Sequence, residues 1–222
     1  MKQTVPAFIL LLTLAACGGS SDKAKTEEKQ EAAVATGTAY AIDTTGTAVL
    51  WRATHKGGFA PRFGTIKVSD GSLNVENGTI TGGSFEVNLR TLLTDTASVT
   101  EPDKKASDLT GHLKSPDFFD VEKHPTAKFV ITAVAPYDST KEKSLLPGAT
   151  NLISGNLTLK DSTLNITFPA QVTVGENEVT ANAKFVIDRS AWGISYKTEG
   201  SPENWAISKD VEIGFNLKAV KK

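Results

Sequence analysis

The sequence predicts an all-β fold: an extended antiparallel β-barrel of about eight strands, with a short helical excursion around residues 100–120. Three observations predict it. From Tyr40 onward apolar side chains recur with a period of two, the mark of strands with one buried face. Turn dipeptides interrupt these runs at spacings that place apolar partners on a common face. The alternation stops only once, between Thr91 and Pro125. A single sheet of this size must curl, and closing it into a barrel removes its exposed edges.

The chain of 222 residues opens with a segment of another kind. Residues 1–16, MKQTVPAFILLLTLAA, carry one Lys, an apolar run from Ala7 to Leu14 and two small residues. The run is too short for a membrane span, which needs about 20 apolar residues. It has the three parts of a secretory signal peptide. The sole cysteine follows directly, and Leu14-Ala15-Ala16-Cys17 resembles the lipobox of bacterial lipoproteins. That resemblance implies cleavage before Cys17, acylation of its thiol and new amino group, and a membrane anchor in the cell envelope. Gly18 after the cysteine favours the outer membrane by the same likeness. Residues 17–38 are then the lipidated Cys and a disordered tether: beyond Cys17 they hold no aromatic residue and Val34 as the one branched apolar side chain. Residues 39–222 form a single barrel domain, with no internal repeat or second linker.

Within that domain the turns are read in order. Asp70-Gly71 as a two-residue turn matches Val68 with Leu73 and Ile66 with Val75. Asn77-Gly78 matches Glu76 with Thr79 and Val75 with Ile80. At Gly82-Gly83 the apolar phase switches from even (Ile80) to odd (Phe85, Val87, Leu89), which a β-bulge explains. Thr100-Glu101-Pro102-Asp103 reads as a helix start with Pro near the first turn, continued by Asp108 to Lys114. Ser115-Pro116-Asp117 then caps a short turn of helix bearing Phe118 and Phe119. Asp161-Ser162 as a turn matches Leu159 with Leu164 and Leu157 with Ile166. Glu176-Asn177 matches Val174 with Val179, Val172 with Ala181, Phe168 with Phe185 and Ile166 with Ile187. The last strand alternates as Val211, Ile213, Phe215, Leu217 and Ala219.

Composition excludes several chemistries. With 24 Lys+Arg against 25 Asp+Glu there is no basic surface of the size a nucleic-acid binder uses. One cysteine excludes an internal disulfide and any cysteine-based zinc site. His55, His112 and His124 form no metal motif, no GxSxG or phosphate loop is present, and no cofactor is implied. Asn77, Asn156 and Asn165 begin Asn-x-Ser/Thr triplets and are read as turn and strand residues. What remains is apolar. The inward stripes fill a barrel whether its interior is packed or hollow, and Phe118-Phe119 beside Leu113 either plugs it and completes the core or takes part in holding a ligand. Periodicity leaves that choice open.

One stretch narrows it. Gly111-His-Leu-Lys-Ser-Pro-Asp-Phe-Phe-Asp-Val-Glu-Lys-His-Pro125, followed by Ala127-Lys-Phe129, closely resembles the HLKS-x-DFFD signature of the YceI-like family. Phe185-x-Ile187-Asp188-Arg189-Ser190-x-Trp192-Gly193 resembles its FxIDRSxWG segment. Tyr40-x-Ile42-Asp43, Ile153 to Leu159 and Asp210-Val211-x-Ile213 are similar to its first, central and last strands. Asp161 departs from the pattern where a turn Gly is common, and Asp138–Thr150 reads as an inserted, exposed loop. The resemblance implies a lipocalin-like barrel that binds a polyisoprenoid chain in an apolar internal tunnel, without catalysis. On that reading Leu113, Phe118 and Phe119 lie at the mouth or wall, while Phe129, Ile131, Phe168, Phe185 and Ile187 line the interior with Phe85, Val87, Leu159 and Ile166. Asp188-Arg189 is a structural ion pair or turn clamp rather than a headgroup site. The partners implied are an isoprenoid or other long-chain lipid, and the membrane through Cys17. Two rival readings stand beside it: an envelope stress or interaction protein with a closed core, and an enzyme acting on the bound lipid, with the histidines as first candidates.

Overall fold

The computed structural model describes residues 23–198 and 206–222. The signal segment and Cys17 lie outside the described residues. Among the described residues eleven strands and one α-helix follow one another. They are β1 (Lys25–Glu28), β2 (Thr38–Ile42), β3 (Ala48–His55), β4 (Arg62–Glu76), β5 (Thr79–Asn88) and β6 (Leu93–Thr94). After them come α1 (Ala106–Lys114), β7 (Thr126–Pro136), β8 (Asn151–Leu159), β9 (Ser162–Val174), β10 (Glu178–Asp188) and β11 (Ile207–Lys221).

Eight antiparallel positions close the barrel. Strands β9, β10 and β11 are followed by β2 and β3 together, then β4, β5, β7 and β8, which pairs back to β9. β2 and β3 share one place: β2 pairs Ala219–Lys221 of β11, and β3 pairs Ile207–Phe215. On their other side both lie along β4. The Asn77-Gly78 hairpin has the expected register, and both turn residues take positive φ (51° and 75°), as a type I′ turn requires. The phase switch near Gly82-Gly83 is a bulge with Thr81 as the extra residue.

Four sequence-based expectations are corrected. Asp70-Gly71 is no turn; β4 runs straight through it, with a bulge between Val68 and Asp70. Hairpin and bulge both flip the apolar parity, so parity alone could not separate them. Gly71 is required there for close approach, since a Cβ would lie 2.5 Å from Cδ1 of Ile42. The β8–β9 turn sits one residue earlier than expected, at Lys160-Asp161, with Lys160 at φ 51° and Leu157 opposite Leu164. The helix begins at Ala106, not near Pro102, and Ser115–Asp120 is a hydrogen-bonded turn with Asp120 at φ 48°. The β9–β10 register holds from Val174↔Val179 to Ala170↔Ala183 and stops there, so Phe168 with Phe185 and Ile166 with Ile187 are not ladder partners.

The last correction has a cause. Residues 23–37, expected as free tether, dock on the barrel. β1 pairs Leu164–Thr167 of β9, and Lys23 bridges Val186 of β10, so the N-terminal segment occupies the seam where β9 and β10 part. It then crosses the outer wall. The side-chain amide of Asn156 accepts from Gln30 N (3.0 Å) and donates to Gln30 O (2.7 Å), and Ala33 N donates to Ile131 O. Asn165 donates to Asn156 Oδ1 and to Thr132 Oγ1, so both buried asparagines are satisfied beneath the strap. Replacing Asn156 with Leu is expected to leave the Gln30 backbone unpaired, at about 1–3 kcal/mol. The check is hydrogen exchange: residues 23–36 should lose protection while the β10–β11 ladder keeps its own.

Candidate functional site

The barrel interior divides into two halves. At the end holding the β4–β5 and β9–β10 connections it is filled: Tyr40, Ile42, Leu73, Val75, Ile80, Val179, Ala181 and Leu217 are all buried. In the other half a cavity of about 420 Å³ opens between the strands. Phenyl rings form its floor. Phe168 and Phe185 stack at 4.0 Å, Phe129 and Phe85 lie 5.4 Å apart, and Phe215 meets Phe85 and Phe168 edge-on at 5.9 Å. Gly155 of the neighbouring β8 makes room for the Phe129 ring, which a Cβ there would strike at 2.2 Å.

The wall follows from strand periodicity, each strand offering alternate residues. Phe85 and Val87 come from β5, Phe129 from β7, Leu159 from β8, Ile166 and Phe168 from β9, and Phe185 and Ile187 from β10. Leu113 of α1 and Phe118 and Phe119 of the following turn cover one side. Ile131 is the exception: it is buried beyond the phenyl floor, in the filled half, and does not line the cavity. The packed half also makes this a pocket open at one end rather than a tunnel.

Sequence reasoning left out Trp51 and Ala53 of β3 and Val211, Ile213 and Phe215 of β11, all on the wall. The clean alternation of β11 carried that signal. The pairing of β3 across both β11 and β4, which brings Trp51 inward, had no local mark.

Phe118 is held from several sides. Its carbonyl accepts from Lys160 Nζ at the β8–β9 turn (3.1 Å), and its ring packs on His112 and Tyr196. The Arg189 guanidinium lies 5.7 Å from the same ring. Arg189 is buried and donates to four carbonyls: Ile194 (2.7 Å), Tyr196 (2.9 Å), Ser208 (3.1 Å) and Ile207 (3.3 Å). It thus ties the chain after β10 to the start of β11. Asp188 does not pair with it; its carboxylate accepts from Ser190 N and meets Lys209 at 2.9 Å. Burial raises the Asp188 pKa, but the Ser190 hydroxyl and Lys209 together outweigh it and leave the group below its ordinary value.

Polar liners come from the end of β3, the start of β4 and the approach to α1: His55, Arg62, Asp103, Lys104, Lys105 and Asp108. Arg62 joins the Glu101 carboxylate and Ser98 O, fixing the segment before α1. Glu101's own backbone amide and Arg62 hold that carboxyl down to about 2. The histidines stand apart: His112 meets Asp117 at 2.8 Å and His124 lies 3.6 Å from Asp161. Among the described residues no three His, Cys, Asp or Glu side chains gather as metal ligands.

Comparison with known proteins agrees with this architecture. The YceI-like domain matches residues 40–219. A UPF0312 protein of Pseudomonas putida strain W619 is 35% identical over 191 residues, covering 82% of this chain and 86% of its own length. A UPF0312 protein of Shewanella denitrificans is 32% identical over 142 residues, 63% of this chain and 64% of its own. Among solved structures, Burkholderia cenocepacia BcnA superposes with a TM-score of 0.55 at 17% identity, covering 81% of this chain and 99% of its own. A polyisoprenoid binding domain from Saccharophagus degradans gives 0.55 at 13% identity, with 83% and 99% covered. At such identities these two report the shared fold. The extent of the domain match and of the Pseudomonas relative establishes the rest: the chain belongs to the YceI-like family.

Proposed function

We propose that this protein is a lipid-anchored barrel of the bacterial cell envelope that holds an isoprenoid-type lipid in its half-barrel pocket and performs no chemistry on it. The pocket carries the reading. About 420 Å³ of apolar-walled space is left unfilled, and its lining forgoes the contacts and burial that a packed core would give it. A barrel kept for its core alone would close that space, as the other half of this one does. The volume falls within the roughly 300–1,000 Å³ of ligand sites. The wall is suited to a chain with little to hydrogen-bond, whose affinity comes from buried apolar area at about 25 cal/mol per Å².

Arg189, the charged liner beneath Phe118, has its donors committed to backbone carbonyls and is poorly placed to act on a ligand. The solved structure of like fold named as a polyisoprenoid binding domain supports the ligand class. The anchor rests on Leu14-Ala15-Ala16-Cys17. The test is solvent extraction of the purified protein followed by mass spectrometry, with uptake of an added long prenyl lipid as second readout. A prenyl lipid recovered at near one per protein is the expected result. Protein that is always empty and takes up none would overturn the proposal.

A further inference from the structure

We infer that the phenyl floor is a length stop: the pocket takes about three to four isoprene units of a chain that enters tail-first, and further units stay outside the mouth. The inference rests on the isoprenoid reading of the pocket and adds the length of chain that it can bury.

The first observation is that five rings close the lumen all the way round. Phe85 of β5 meets Phe129 of β7 at 5.4 Å, and Phe129 meets Phe168 of β9 at 5.7 Å across β8, where Gly155 leaves the room. Phe168 stacks on Phe185 of β10 at 4.0 Å, and Phe185 meets Phe215 of β11 at 6.4 Å. Phe215 returns to Phe85 at 5.9 Å, spanning the side of β3 and β4. A sixth contact, Phe168 with Phe215 at 5.9 Å, crosses the circuit. Centroids within about 7 Å are rings in contact, and no gap of a prenyl chain's width remains between them. Behind the floor Ile131, Ile153, Ala170, Ala183 and Leu217 are buried and line no part of the pocket.

The second observation is depth. On β3 the wall runs from Val49, paired with Phe215 at the floor, to His55 at the strand's end, six residues on. Six residues advance about 20 Å along a strand, or roughly 15 Å along the axis of a barrel whose strands tilt by about 35–45°. An extended isoprene unit, with four carbons in line, advances roughly 4–5 Å, so about three to four units span that depth. Volume gives the same answer. A five-carbon unit packed at the interior density of about 0.75 occupies roughly 110–120 Å³, and 420 Å³ takes about three to four of them. The floor is aromatic and the polar liners stand at the mouth, so the apolar end of the chain leads. Each unit down to the floor buries apolar area; a unit beyond the fourth has none left to reach and adds no affinity.

The experiment uses the whole chain from Cys17, barrel and docked strap included, produced without export so that no acyl chain or detergent competes for the pocket. A bound fluorescent prenyl analogue is displaced by prenyl ethers of one short polyethylene-glycol headgroup, with two to six isoprene units. Affinity should rise roughly tenfold or more from two units to three, then stay within about threefold from four units to six. In F215A the lost ring, comparable in size with one unit, should move the start of that plateau one unit longer. F85A, at a half-buried ring of the same circuit, gives the same readout with less loss of packing. Affinity that climbs steadily through six units, or a plateau unmoved in whichever of the two variants folds, would overturn the inference and leave the isoprenoid reading standing. No binding at any length would overturn both.

Discussion

Replacing Arg189 with Met is expected to lower the melting temperature by roughly 8–15 °C, corresponding to about 3–5 kcal/mol in a domain of this size. The aliphatic part of the side chain is retained, so the loss comes from the guanidinium. Without it the carbonyls of Ile194, Tyr196, Ser208 and Ile207 lose a buried charged donor. Each such bond contributes about 1.5–3 kcal/mol, and shared strain keeps the four from adding. R189K should recover a minority of the loss, because an ammonium cannot span four acceptors in a plane. Calorimetry on the three proteins checks it. A melting point for R189M within 2–3 °C of the parent would show that the clamp holds nothing together. The same substitution should loosen the pocket cover, since Arg189 also supports the Phe118 ring.

Filling the pocket should separate binding from folding. Ala127 lies opposite Val87 on the wall and is buried, so A127F projects a phenyl ring into the cavity. The ring displaces about three methylenes of any bound chain, at about 0.8 kcal/mol each. Affinity for a long prenyl lipid should therefore fall roughly 30–100-fold. Stability should hold or rise, because empty volume is being filled rather than a packed core distorted. Titration with a fluorescent prenyl analogue, beside a denaturation curve, measures both. Unchanged affinity in a folded A127F protein would show that the ligand sits elsewhere; a collapse in stability would show that this wall has no room to give.

Much of the barrel was legible because strands with one buried face carry their register in the sequence. The Asn77-Gly78 and Glu176-Asn177 hairpins formed where the alternation placed them, and β11 shows its inward face residue by residue. Leu113, Phe118 and Phe119 could be associated with the pocket because the motif around them resembles a known family; their own spacing says nothing of it. Errors came where two structures share one pattern. Asp70-Gly71 satisfies a turn and a bulge equally, and a turn at Lys160-Asp161 keeps the same faces as one at Asp161-Ser162.

What the sequence by itself determined is the class: a closed antiparallel barrel with one helical interruption, since period-two burial and turn chemistry are local properties. Which half of that barrel is hollow only the tertiary structure decided, because Ile131 and Phe129 sit on the same face of the same strand and differ only in what stands across from them. The fate of residues 23–37 was decided there too. A polar, Ala- and Glu-rich segment has no periodicity to betray it; it becomes ordered because β9 and β10 part and leave backbone groups unpaired, and because Asn156 waits on the outer wall to bind Gln30.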